Sequence, residues 1–119
     1  MTNRRLLRVN SQLQKELSTL VNNLSLPFEI FLQVTEVSTS SDLKSARVYV
    51  SALAKQGEAI DKEAIVNFLQ SKAFDFQERL ASQFRWKFIP KLLFLYDESP
   101  SRAQKIEKIL DQLKKDDIK

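Results

Sequence analysis

Asp97 and Glu98 stand side by side in a 119-residue chain that contains no histidine and no cysteine. Carboxylates alone can run acid–base chemistry, but only when two of them face each other across a substrate. Neighbours in a strand or loop diverge instead, so this pair is a weak catalytic candidate. The missing residue types exclude the usual zinc sites, a thiol nucleophile and an imidazole base. Gly57 is the only glycine, which excludes a Walker loop and a dinucleotide-binding turn, since both need several glycines to bring backbone close to phosphate. What is left points to binding rather than to bond chemistry, with no cofactor and no metal.

The cations are unevenly spread. Residues 1–25 carry four basic and one acidic side chain, and residues 72–91 carry five and two. Residues 26–71 carry four and six, and residues 92–119 carry six of each. The net charge of +4 therefore sits in the first segment and around residues 72–91. Clustered cations are what a phosphate backbone requires, because each neutralised phosphate releases counterions. Arg85 and Lys87 flank Trp86, an arrangement that suits nucleic acid but equally describes a packing tryptophan with solvated flanks. Arg4, Arg5 and Arg8 fit either a solvated helix face or a phosphate contact, and so do Lys72 and Arg79. Lys44 and Arg47 are weaker candidates. Tyr49 and Tyr96 read as packing residues, and Asp97 as a residue shaping a turn.

These side chains need elements to hold them. Leu6, Val9, Leu13, Leu17, Leu20 and Leu24 recur at helical steps, predicting a helix over 4–24 that Pro27 brings to an end. Phe28, Ile30, Leu32 and Val34 alternate as one face of a strand, and the parity slips before Val37, as a bulge or a departing strand would require. A serine-rich break over 38–42 precedes a second alternating run at Ala46, Val48 and Val50. Two such runs read as antiparallel neighbours, although no Asn-Gly or Asp-Gly supplies a tight turn. Asp61 is placed to cap a helix, with Glu63 in its first turn. The helical pattern from there to Phe84 is long for a small domain and allows two helices meeting at an angle. The stretch "WKFIPKLLFLY", 86–96, reads as a third strand, with Pro90 at a start, an edge or a bulge. Ser99-Pro100 is a helix entry, and Ile106, Ile109, Leu110 and Leu113 form the stripe of a last helix. Residues 114–119 read as a frayed tail.

The length predicts one domain, 1–119, with its core over about 4–113. A composition that is 43% hydrophobic and 29% charged is that of a folded soluble chain. No apolar run approaches the ~20 residues of a membrane helix, and the N-terminus lacks the apolar core of a secretory signal. Together with the absent cysteines this predicts a cytoplasmic protein.

The order α-β-β-α(α)-β-α, taken with four stretches of sequence, resembles the ribosome-binding factor A family. The stretches are "RRLLRVNSQLQKELSTLV", "VTEVSTSSDLKSARVYVS", "FRWKFIPKLLFLYDES" and "RAQKIEKIL". The second is similar to the family's V-T-x-V…S-x-D-L-x-x-A-x-V-Y-V segment, and the third to its R-x-x-x-x-P-x-L-x-F-x-Y-D-x-S strand. The resemblance implies an α+β fold of the type II KH-like kind, α-β-β-α-(kink)-α-β with a C-terminal helix. Helices would pack on one face of a three-stranded sheet. The family lacks the G-x-x-G loop of RNA-gripping KH domains and keeps an Ala-x-Gly kink, whose aligned positions here are Lys72, Ala73 and Phe74. Glycine would bend freely there, whereas Phe74 must bend within ordinary angles or not at all.

Activity and partners also follow from the resemblance. It implies a monomeric, non-enzymatic assembly factor that binds the immature 30S ribosomal subunit and 16S rRNA and is associated with growth in the cold. Such a factor promotes late maturation and 5′-end processing of the rRNA precursor. RNA contact would run through Arg4, Arg5, Arg8, Lys72, Arg79, Arg85 and Lys87, reading backbone and shape rather than bases. The competing expectation is a small basic α/β adaptor that meets an acidic protein without RNA.

Overall fold

In the computed structural model, which describes residues 4–57 and 59–99, six elements follow one another. They are α1 (Arg4–Asn22), β1 (Ile30–Thr39), β2 (Ser45–Ala54), α2 (Lys62–Ser71), α3 (Ala73–Phe84) and β3 (Lys91–Tyr96). The fold is α+β. The last helix expected from Ser99-Pro100 and the tail at 114–119 lie outside the described residues.

The three strands form one sheet in the order β1-β2-β3. β1 and β2 are antiparallel, as the two alternating runs predict. β2 and β3 are parallel, so their connection must cross over the sheet, and α2 and α3 make that crossover. The slip of parity in β1 is a bulge between Val34 and Glu36. Ile30, Leu32 and Val34 before it and Val37 and Thr39 after it are all buried. Thr35 is the extra residue that keeps both halves of the strand facing the core.

That face meets the helices. Val34 pairs with Val50, Val37 with Val48, and Val48 in turn with Phe94. Over them lie Leu13, Leu17 and Val21 of α1, Ile65 and Leu69 of α2, and Ala73, Phe76 and Leu80 of α3, all buried. The Phe76 and Phe94 rings sit 5.9 Å apart, and each buried side chain of this size contributes about 1.5–3 kcal/mol.

Helix amides cover both edges of the sheet. On the outer side of β1, Thr39 N donates to Asn10 Oδ1 at 2.9 Å, and Gln14 Nε2 donates to the Thr35 carbonyl at 3.3 Å. Asn10 and Gln14 lie one helical turn apart on α1, which is why one face of the helix serves both. On the outer side of β3, Gln70 Nε2 donates to the Leu92 carbonyl and Phe94 N donates to Gln70 Oε1, each at 2.9 Å. Unpaired edges invite pairing with another chain, and these amides occupy two backbone groups on each edge.

Asp61 caps α2 by accepting from Ala64 N at 3.0 Å. The helical span then divides at Lys72, which has φ −97° and ψ −1° and serves as the last cap of α2 and the first of α3. Neither flanking position needs a positive φ. Ala73 is buried in the corner and Phe74 is 72% exposed, so the division is made with ordinary backbone angles and without glycine.

Some expected boundaries move. The third strand begins at Lys91 rather than at residue 86, because Pro90 has no N–H for a ladder and is itself fully buried ahead of the first pair. α1 ends at Asn22 instead of residue 24. β1 runs through Ser38 and Thr39, both of which pair with β2, so the break is confined to 40–44.

Candidate nucleic-acid interface

Three segments converge where β2 and β3 begin. They are the N-terminal half of α1, the 40–44 turn, and the stretch 85–90 between α3 and β3. Lys91 N donates to the Lys44 carbonyl at 2.9 Å, fastening the turn to the start of β3.

The turn is shaped by Asp42. Ser40 Oγ donates to Asp42 Oδ1 at 2.6 Å, and Lys44 N donates to the same oxygen at 3.0 Å. The Ser40 hydroxyl first, and the Lys44 amide second, hold this carboxyl below its ordinary 3.8. Leu43 completes the turn at φ 61°, the left-handed conformation that an Asn-Gly or Asp-Gly would have supplied with less strain. α3 stops in a similar way. Arg85 has φ 55° and its N–H reaches the Ala81 carbonyl at 3.3 Å, a left-handed helix end made by an arginine. Beyond it the chain turns so that the Trp86 ring stacks on Phe84, with centroids 4.4 Å apart and planes 13° from parallel.

Between the segments lies a groove of about 1020 Å³. Val9, Leu43, Trp86, Phe88, Ile89 and Pro90 give it a mainly apolar lining. Arg5, Arg8, Lys44, Lys87 and Lys91 also line it, against one acid, Asp42. Phe88 is 76% exposed, with Lys87 Nζ 5.7 Å from its ring centre. The ion pairs Lys55–Glu29, Lys62–Glu98 and Arg79–Asp75 involve none of the lining residues.

Of the residues singled out from sequence, the structure gathers Arg5, Arg8 and Lys87 around this groove, and Lys44 joins them. Arg4 is exposed beside Arg5, and Arg85 immediately precedes Trp86. Lys72 and Arg79 do not line it: Lys72 Nζ lies 5.6 Å from the Phe68 ring centre, and Arg79 Nε bonds Asp75 Oδ2 at 3.2 Å. Arg47 is exposed on β2, opposite Ser38. Charge clustering and periodicity do not single out Lys91, Leu43 or Phe88. Placing 86–90 in a strand assigns Phe88 to a sheet face; the run of aromatics and lysine in "WKF" is the available signal.

Asp97 and Glu98 diverge. Asp97 Oδ2 accepts from Thr35 Oγ1 at 2.6 Å and its Oδ1 accepts from Ser99 N at 2.8 Å, while Glu98 pairs with Lys62 at 3.0 Å. Asp97 does shape the chain leaving β3. The Tyr96 hydroxyl accepts from Ala52 N at 3.1 Å, holding that ring in place. Among the described residues no group of three or more acidic, histidine or cysteine side chains could hold a metal ion, and no helix is long and apolar enough to cross a membrane.

Comparison with known proteins adds to this picture. The family model described as ribosome-binding factor A matches residues 5–110. The chain is 38% identical over 120 residues to ribosome-binding factor A of Staphylococcus epidermidis, covering 98% of this chain and 99% of that protein. It is similar to the crystal structure of ribosome-binding factor A from Thermus thermophilus, with a TM-score of 0.66 and 25% identity over 76% of this chain and 94% of that one. It is also similar to a homology model of the Thermus thermophilus factor as fitted into a cryo-EM map of its complex with the 30S subunit. There the TM-score is 0.60 and the identity 28%, over 72% of this chain and 88% of that one.

Proposed function

The chain belongs to the ribosome-binding factor A family, and we propose that it binds the immature 30S ribosomal subunit through 16S rRNA. The observation that carries this reading is the gathering of Arg5, Arg8, Lys44, Lys87 and Lys91 around one groove, against the single acid Asp42. Arg4, next to Arg5, and Arg85, next to Trp86, are exposed neighbours of that surface. Lys72 at the division between α2 and α3 and Arg79 within α3 are further candidate contacts. The Thermus relative fitted into a 30S complex supports the choice of partner. The protein acts as one domain and as a monomer in the cytoplasm.

Binding is the whole mechanism. A factor with no bond chemistry shifts its target only as far as its affinity differs between two states of that target. Here the favoured state is the late, nearly mature arrangement of the small-subunit rRNA, so maturation and 5′-end processing of the precursor follow from occupancy. No nucleotide or metal is required.

The test is loss of the gene followed by profiling of ribosomal particles and of the precursor 5′ end. Accumulation of free small subunits and of unprocessed 16S precursor, both reversed by this chain, is the expected result. Normal profiles in the deletion strain, in the cold as well as at the growth optimum, would remove the proposal. If the partners captured from cells persist as free acidic proteins after ribonuclease treatment, the adaptor reading replaces it.

A further inference from the structure

The groove's lining differs from that of a surface which grips phosphates alone. A purely electrostatic site needs cations and hydrogen-bond donors; this one is mainly apolar and presents Phe88 at 76% exposure. Phe31 and Phe74 are exposed to a similar degree. Phe88 alone of the three lines the groove, next to Trp86 and beside Lys87, where its ring can serve as a platform for a flat partner. Trp86 contributes to the same lining and is held rigid by stacking on Phe84 at 4.4 Å.

We propose that this groove takes an unstacked base of a single-stranded rRNA segment, stacking it on Phe88 while Arg5, Arg8, Lys44, Lys87 and Lys91 hold the adjoining phosphates. The inference rests on the RNA-binding reading above and adds what part of the RNA is taken and where. Aromatic platforms bordered by cations are how single strands are held without sequence selection, since every base has a π face. A duplex fits poorly, because its bases are stacked inside and an A-form surface offers only phosphates, sugars and narrow edges. An apolar peptide with acidic residues would meet the same cations, and it is the alternative that the titration below separates from RNA. Asp42, the only acid lining the groove, accepts from Ser40 and the Lys44 amide and is outnumbered by the five cations. The site shares no residue with Lys72, Ala73 and Phe74, so it is separate from the division between α2 and α3.

Trp86 is the only tryptophan, which gives a direct readout on the full chain. A short single-stranded oligoadenylate, an abasic ribose-phosphate strand of the same length and a short RNA duplex are titrated while Trp86 emission is followed. The expected result is a saturable change in emission with the oligoadenylate that the abasic strand does not produce. Phe88→Ala should weaken oligoadenylate binding by roughly five- to a hundredfold, the range for losing one stacked base. Binding of the abasic strand, followed by the anisotropy of an end-labelled strand because it leaves Trp86 emission unchanged, should be the same in Phe88→Ala as in the parent. Phe88→Tyr should restore oligoadenylate binding. Phe88 is exposed, so thermal unfolding of Phe88→Ala should match the parent chain. The proposal is overturned if abasic and native strands bind alike, if the duplex competes equally, or if only an acidic peptide perturbs Trp86. Should Phe88→Ala bind immature small subunits as tightly as the parent, the base-stacking site is wrong and the ribosome-binding reading stands. Should the parent itself not bind them, that reading fails on its own.

Discussion

Thr35 Oγ1 donates a 2.6 Å hydrogen bond to Asp97 Oδ2, joining the bulge of β1 to the end of β3 across the strand between them. The same hydroxyl lies 3.3 Å from the Tyr49 carbonyl. It has one proton to give, and the shorter, charge-assisted contact takes it. The bulge is held from the other side as well, since the Thr35 carbonyl accepts from Gln14 of α1. The backbone of Asp97 donates to the Val50 carbonyl at 2.7 Å, so both ends of this link are fixed. Asp97 thus serves the architecture.

Thr35→Val and Asp97→Asn should each lower unfolding stability by about 1.5–3 kcal/mol, the range for a hydrogen bond to a charged group. Combined, they should cost clearly less than the sum, because each removes the same interaction. Urea denaturation of the two single variants and the double variant measures this. Strict additivity would mean that the two residues act independently.

The bulge illustrates what is legible in the sequence. A two-residue alternation that slips by one marks an irregularity, because the pleat has period two. A bulge and a departing strand leave the same trace, and only the pairing that continues through Val37 and Thr39 decides for the bulge. The antiparallel pairing and the Asp61 cap are readable for the same kind of local reason. The position of the groove is not. Its parts come from residues 5–12, 42–45 and 86–91, and only the crossover between β2 and β3 brings the second and third together. Pro90 reads as a possible strand start, yet nothing local shows that Trp86 folds back onto Phe84. Gln70 has no sequence signature either, because its role depends on β3 being an edge. Arg5, Arg8 and Lys87 can be chosen from charge clustering, whereas Lys72 and Arg79, chosen in the same way, lie elsewhere.

Asp42 gives the turn a pH dependence of known sign. Its carboxyl is held below 3.8 in the folded chain by the Ser40 hydroxyl and the Lys44 amide. A depressed folded value means that the charged form stabilises the fold above the unfolded value, and that this contribution fades as pH falls towards the folded one. Asp42→Asn should therefore be less stable than the parent at neutral pH. The gap should stay constant down to the ordinary carboxylate range and shrink below it. Denaturant midpoints of the two proteins across an acid titration check this; a gap that widens in acid would reverse the sign.

Arg85 offers a conflict between folding and binding. At φ 55° an arginine is strained by about 1–2 kcal/mol, whereas glycine ends helices in this conformation without a Cβ clash. Arg85→Gly should raise the unfolding midpoint while weakening binding to small subunits. Thermal unfolding and a binding isotherm on one preparation test both halves. A variant that is more stable and binds normally would remove Arg85 from the contact surface and leave the helix end without a functional reason for its arginine.

Charge reversal separates the groove from the rest of the basic surface. Arg5, Arg8 and Lys87 line one groove, whereas Lys72 lies against Phe68 and Arg79 is tied to Asp75. If the groove's cations neutralise phosphates, each reversal to Glu removes at least one counterion release. The slope of log affinity against log salt then falls by about 0.7–0.9 for each phosphate no longer neutralised. Lys72→Glu and Arg79→Glu should lower affinity less, with Arg79→Glu also placing a second acid beside Asp75. The measurement is binding of each full-length variant to immature small subunits over a salt series. Equal slopes for all five variants would mean that the net charge of the chain, rather than the groove, sets the attraction. A weakening confined to Lys72→Glu and Arg79→Glu would move the RNA contact to Lys72 and α3.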